Sequence, residues 1–240
     1  GTDDTLIGWK ENFTMSFMRP VPAQTAAAEY FESVADRISG GLFYLGGHSK
    51  GGNLAVYAAA RCNPEIKSRI VTAYNLDGPG FNKEFITSRE YLAVRERVRT
   101  LIPQSSIVGM LLEHEENYEV VQSNTTGLLQ HNGFSWEVMG GRFVHNEEVT
   151  AHSKHVDVTL KKWLSEIDVE ERKRIIDALY EIFSSTNAKT LTDLNADKLG
   201  VIKAWGTLDD ESKKVIKRIV GLIIKRKIKP DKSEEIENNA

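Results

Sequence analysis

One serine set among glycines is the first place in this chain where residue types and spacing could do chemistry. Gly47-His48-Ser49-Lys50-Gly51 has the pattern Gly-x-Ser-x-Gly, and it joins an apolar run, Leu42 to Leu45, to the alanine-rich stretch Leu54-Ala-Val-Tyr-Ala-Ala-Ala60. The run predicts a short strand and the stretch a helix. A serine at so sharp a strand-to-helix turn is a nucleophile elbow. Glycines on either side of it let the chain double back, and the hydroxyl is lifted clear of the sheet. The same turn aims the first amides of the helix, including the N–H of Lys50, at the point where an attacked carbonyl would develop negative charge. The chemistry encoded is acyl transfer through a covalent serine intermediate.

The elements around this turn are those of an α/β sheet. Residues 22–38 place Ala27, Phe31, Val34 and Ile38 at helical spacing, so one face is expected to lie on a sheet, and Gly40-Gly41 ends the helix. Arg69 to Asn75 is β-branched and strand-like, and it runs into Leu76-Asp77-Gly78-Pro79-Gly80. A helical stretch from Glu84 to Arg95 leads to a third strand, Val98 to Pro103. Tyr118 to Ser123 and Phe134 to Val138 read as strands flanking a turn region that holds His131. Such alternation implies an α/β-hydrolase-type, mostly parallel sheet with helices on both faces. Only one strand candidate precedes Ser49, and the chain opens on Gly1, so N-terminal strands of such a sheet are expected to be missing.

Strand signals cease at Val156. Lys161 to Leu164, Val169 to Phe183, Leu191 to Gly206 and Leu208 to Ile228 read as helices, with Asp168 and Thr207 as capping candidates. The division expected is a hydrolase-like domain at 1–155, an all-α appendage at 156–230 and a polar, frayed tail at 231–240. The last helix gathers Lys213, Lys214, Lys217, Arg218, Lys225, Arg226, Lys227 and Lys229 without an intervening acid, around an apolar face. That face is expected to bury itself within the protein, leaving the basic side a weak, salt-sensitive contact with anionic membrane.

Composition narrows the function classes. A formal net charge of −3 over 240 residues argues against nucleic acid as a partner, because binding phosphates needs a positive excess. The single cysteine, Cys62, excludes an internal disulfide and fits a reducing, cytoplasmic setting; near the end of the elbow helix it reads as a buried, inert thiol. The sequence has no cluster of metal-type Cys/His ligands and no phosphate loop, and serine chemistry asks for neither metal nor organic cofactor. Oligomeric state leaves no mark on the sequence.

Two blocks give the chain a resemblance to the class-three lipases, and more closely to a lipase-related bacterial family of the α/β-hydrolase superfamily, over residues 1–150. Gly1-Thr2-Asp3-Asp4 with Trp9 and Phe13 resembles the tail of the lipases' phenylalanine-arginine-glycine-serine/threonine signature. Gly46-Gly-His-Ser-Lys-Gly-Gly-Asn-Leu-Ala55 resembles their elbow. The resemblance implies a serine hydrolase for carboxylic esters, with lipid or acylglycerol esters as the substrate class. It assigns Thr2 a place in the oxyanion hole beside the backbone of Lys50.

The triad acid is where the chain departs from those lipases. The segment that should hold it, Pro103-Gln-Ser105-Ser106-Ile-Val108, has no carboxylate. Asp77 is the substitute, since some related lipases place their acid after the strand next to the nucleophile's. The alternative is an aspartate that only organises the Asp-Gly-Pro-Gly turn. Glu115 and Glu116 are the other candidate acids. The base must follow in the order serine, acid, histidine. His48 lies inside the elbow and is an orienting or packing residue; His114, His145, His152 and His155 stand in polar surroundings. His131 follows a strand in a loop where the catalytic groups of such sheets collect, and His152 is its reserve. Without an acid at Ser105 or Ser106, a second reading is a hydrolase-like scaffold that has become a binding or regulatory module.

Overall fold

The computed structural model describes residues 20–106, 108–109, 118–150, 170, 174, 203, 205–214 and 217. The elbow's strand is β1 (Phe43–His48), which runs directly into helix α2 (Lys50–Arg61). Ahead of it lies α1 (Pro22–Ala35), opened by a proline in its first turn, where the missing N–H costs nothing. Gln24 Oε1 accepts from the Val21 amide at 3.1 Å and so closes that end. The buried face of α1 is Gln24, Phe31 and Ala35. The expected continuation to Ile38 fails because the helix stops at Ala35. Ile38 falls in the turn that leads to Gly40, whose φ is +72°, and is 44% exposed. Arg69 finishes α1 from outside: its guanidinium lies over the Phe43 ring at 4.6 Å and donates to the carbonyls of Ala35, Ile38 and Gly41. Carbonyls at a helix end have no internal partner, and a cation there satisfies them.

After α2 the short α3 (Pro64–Ser68) turns the chain into β2 (Ile70–Leu76). The stretch expected as one helix from Glu84 to Arg95 is instead broken into α4 (Lys83–Ile86) and α5 (Arg89–Leu92), then a 3-10 turn at Arg95–Arg97. Ser88 breaks it, and Asn82 caps its first piece. Their side chains accept from the amides of Phe85 and Tyr91, at 2.9 and 3.3 Å, so each begins a new helical turn. β3 (Val98–Pro103) has the bounds its β-branched residues predict, and β4 is Tyr118–Val121.

These strands form a five-stranded sheet in the order β1-β2-β3-β4-β7, where β7 is His145–Asn146. The first three pairings are parallel and β4–β7 is antiparallel. A mostly parallel sheet with helices is therefore observed. Phe31 meets Phe43 edge to face at 5.3 Å, which sets α1 on the face of Phe43 and Leu45, and small side chains at Ala58, Ala59 and Ala60 let α2 approach the strands closely. On the opposite face Leu101 and Val121 are covered by Trp136, while Tyr44 remains 67% exposed.

Phe134 to Val138 does not form the expected strand. Gly133–Ser135 is a 3-10 turn headed by Asn132, and Phe134 is fully exposed, so its apolar ring is no sign of a buried strand. Beyond this turn comes a small hairpin of β5 (Val138–Met139) and β6 (Arg142–Phe143), turned through Gly140 and Gly141 at φ +60° and +77°, the left-handed pair that two-residue hairpin loops require. Near the C-terminal end the cap is Asp209, not Thr207: the Ser212 amide donates to Asp209 Oδ1 at 2.8 Å. Ser212 also holds the Asp209 carboxyl below its usual range. Asp168, the tail at 231–240 and most of the basic C-terminal helix lie outside the described residues. Among the described residues no helix is long and apolar enough to cross a membrane.

Candidate active site

Strand register brings Ser49 and Asp77 side by side. β1 and β2 are parallel with His48 opposite Leu76, so the next residue of each chain leaves the carboxyl edge of the sheet at the same level. The Ser49 amide donates to the Leu76 carbonyl, and the Asp77 amide to the Leu101 carbonyl, each at 2.8 Å. Both residues have left-handed backbones, φ +57° at Ser49 and +49° at Asp77, and no other non-glycine residue among those described does. Such conformations are costly for a side chain with a Cβ and persist only where neighbours enforce them.

The neighbours are glycines and buried amides. A Cβ on Gly47 would lie 2.3 Å from the Gly51 carbonyl carbon, so the elbow needs glycine there. The second motif glycine differs from expectation: a Cβ on Gly51 would meet nothing within 4 Å among the described residues. The residue under constraint is Gly52, where a Cβ would lie 2.1 Å from Asn75 Oδ1, because position 52, and not 51, faces β2 as the helix turns. Asn75 is fully buried; its Oδ1 accepts from the Gly78 amide at 3.0 Å and fixes the turn that presents Asp77. Asn53 holds the same loop from α2, donating to the carbonyls of Pro79 and Gly80 at 3.0 and 2.9 Å while accepting from Gln24 at 2.8 Å.

Asp77 is fully buried, and its two carboxylate oxygens are divided between two loops. Oδ1 accepts from Ser106 Oγ at 2.5 Å and from the Gly109 amide at 3.1 Å. Oδ2 is 2.7 Å from His131 Nδ1. Ser106 thus stands in the segment where a carboxylate was expected, and its hydroxyl donates to Asp77 at the end of the neighbouring strand. Gly109 is open to the carboxylate for a steric reason, since a Cβ there would come within 2.4 Å of Asp77 Oδ1.

His131 ends a 3-10 turn, Gly127–His131, that follows β4. Gln130 anchors it from below: Oε1 accepts from the Ser105 amide at 2.8 Å, Nε2 donates to the Thr125 carbonyl at 2.7 Å, and Trp136 Nε1 donates to the Gln130 carbonyl at 2.9 Å. A closed circuit results, from Asp77 through Ser106 and Ser105 to Gln130 and back through His131. With Nδ1–H donated to the carboxylate, the tautomer leaves Nε2 able to accept a proton. Neither His131 Nε2 nor the Ser49 hydroxyl has a hydrogen-bond partner among the described residues.

The arrangement therefore joins Asp77 to His131 and sets Ser49 beside Asp77 at the sheet edge. Lys50 opens α2, so its amide belongs to the helix N-terminus as expected. His145 is elsewhere: its half-exposed ring lies 3.6 Å from Glu119 on the β4–β7 edge. Thr2, His114, Glu115, Glu116, His152 and His155 lie outside the described residues. Cys62 is buried, and burial pushes its thiol up to about 11. A cavity of about 210 Å³ is lined by Gln24, Tyr57, Arg61, Phe81 and Phe85, and none of Ser49, Asp77 and His131 lines it. No group of residues suited to a metal ion occurs among the described residues.

Sequence reasoning missed Asn53, Asn75, Ser106, Gly109 and Gln130. Asn53 and Asn75 did carry a signal: an amide inside an alanine-rich helix and inside a β-branched strand, where burial without partners would be costly. No curated protein matches the chain. The model of the Mbeg1-like family does, over residues 1–181, and with an elbow serine and an aspartate–histidine pair at the carboxyl edge of a parallel sheet, the chain belongs to that lipase-like family.

Proposed function

We propose that the protein is a serine hydrolase that cleaves a carboxylic ester of lipid-like character through Ser49, His131 and Asp77. The observation that supports this most is the Asp77–His131 pair at 2.7 Å, held on both sides and set beside the elbow serine. In this reading Ser49 Oγ attacks the acyl carbon while His131 Nε2 takes its proton. The same imidazolium then protonates the departing alcohol, and water, activated by His131, releases the acid from the acyl-enzyme. Asp77 keeps the tautomer and stabilises the charged ring. The oxyanion faces the first amides of α2, the Lys50 N–H among them, with Thr2 as the second donor. A serine–histidine hydrogen bond that is unmade without substrate is common, and it tightens in the complex.

A silent binding scaffold draws its support from the lack of a carboxylate at Ser105-Ser106. In the hydrolase reading Asp77 takes that role from the adjacent strand, and its contact with His131 is what weighs against the scaffold. A fluorophosphonate probe separates the two. Labelling mapped to Ser49 and abolished in Ser49→Ala is the expected result; an unreactive Ser49 in folded, full-length protein would overturn the hydrolase reading.

A further inference from the structure

We propose that His48, the residue before the nucleophile, is a positioning residue for His131; this deepens the hydrolase reading and rests on it. Two contacts make the case. His48 Nε2 lies 2.5 Å from the His131 backbone carbonyl, and because a carbonyl can only accept, the ring must present Nε2–H. The two imidazoles also face one another, with centroids 4.6 Å apart and planes inclined by 39°. Behind His48 the chain is rigid, since His48 is the last residue of β1 and is paired with Leu76. The His131 turn has no such frame: it is a five-residue 3-10 segment between β4 and another 3-10 turn.

The elbow strand thus reaches across and holds the base's backbone, as Asp77 holds its side chain. With Gln130 anchored to Ser105 and Thr125, the turn is fixed at adjacent residues from opposite directions. Burial, and then the neighbouring His131, lower the pKa of His48 from its usual value. A neutral His48 presents an uncharged ring face to His131, which must itself become cationic during each turnover. A cationic His48 would oppose that by repulsion at short range.

The test separates the donor from the ring. His48→Phe keeps a ring and loses the N–H; His48→Gln keeps an N–H at nearly the same reach; His48→Asn is too short to bridge and serves if His48→Phe does not fold. Fluorophosphonate labelling over a range of probe concentrations gives the maximal rate and the half-saturating concentration separately. Phe and Asn are expected to lower the maximal rate about ten- to a hundredfold with half-saturation unchanged, and Gln to restore most of it. The low-field proton NMR signal of His131 Nδ1–H should broaden in Phe and Asn and persist in Gln, at equal melting temperature. Wild-type labelling rates and an unchanged His131 signal in His48→Phe or His48→Asn would overturn the proposal and leave the triad standing. So would a lowered melting temperature with unchanged labelling per folded molecule. A wild-type Ser49 that never labels overturns the hydrolase reading, while the NMR signal still decides whether His48 holds the His131 turn.

Discussion

Asp77 commits both carboxylate oxygens before any substrate arrives, and that makes its contribution measurable one partner at a time. Asp77→Asn keeps the shape and removes the charge, so His131 would be held in the wrong tautomer. Hydrolysis of a p-nitrophenyl ester should fall by about four powers of ten in kcat with little change in folding. Ser106→Ala removes only one supporting donor. A hydrogen bond to a charged group is worth about 1.5–3 kcal/mol, and with the Gly109 amide still in place the expected loss is nearer tenfold. If Asp77→Asn remains active, the acid lies elsewhere, and Glu115→Gln and Glu116→Gln become the variants to measure.

At the scale of elements, the elbow depends on one strand, one helix and the closeness of their approach. The two adjacent glycines at the head of α2 should respond in opposite ways. Gly51→Ala meets no neighbour among the described residues and exchanges a poor helix former for a good one, a gain of up to about 1 kcal/mol; thermal unfolding should show an unchanged or raised midpoint, with activity kept. Gly52→Ala drives a methyl into Asn75, and a loss of about 2 kcal/mol or more is expected together with activity, because the displaced amide also holds the Asp77 turn. The contrast shows what was legible in the sequence. Gly-x-Ser-x-Gly between strand and helix located the turn at Ser49, the β-branched run from Val98 to Pro103 located β3, and chain order singled out the histidine that meets Asp77. Which glycine is crowded depends on what faces it from another strand, and no local spacing encodes that. Ser106 could not be assigned from spacing either, since its partner is 29 residues away. Phe134 misled for the reverse reason: an aromatic ring suggests burial wherever it stands, and this one lies in solvent.

Over the whole molecule the two ends of the sheet have different tasks. At the end where β2 begins, Arg69 ties α1 to β1, and Arg97 donates to the carbonyls of Lys67 and Ile70 at 2.7 and 3.3 Å. These contacts bind helix ends and strand starts. At the carboxyl edge stand Ser49, Asp77, Ser106 and His131, the arrangement by which open α/β sheets present a reacting site. That edge also holds both left-handed non-glycine residues, and the one at Ser49 carries a cost for the fold as a whole. A backbone at φ +57° and ψ −132° is close to territory that glycine alone occupies freely. Strain of this kind is about 1–3 kcal/mol, while glycine's extra freedom in the unfolded chain returns about 0.5–1 kcal/mol. Ser49→Gly should therefore unfold at a higher temperature than Ser49→Ala, although both lack the hydroxyl. Stability alone would therefore favour glycine at position 49, so the serine that the proposed chemistry needs is the costlier residue for the fold.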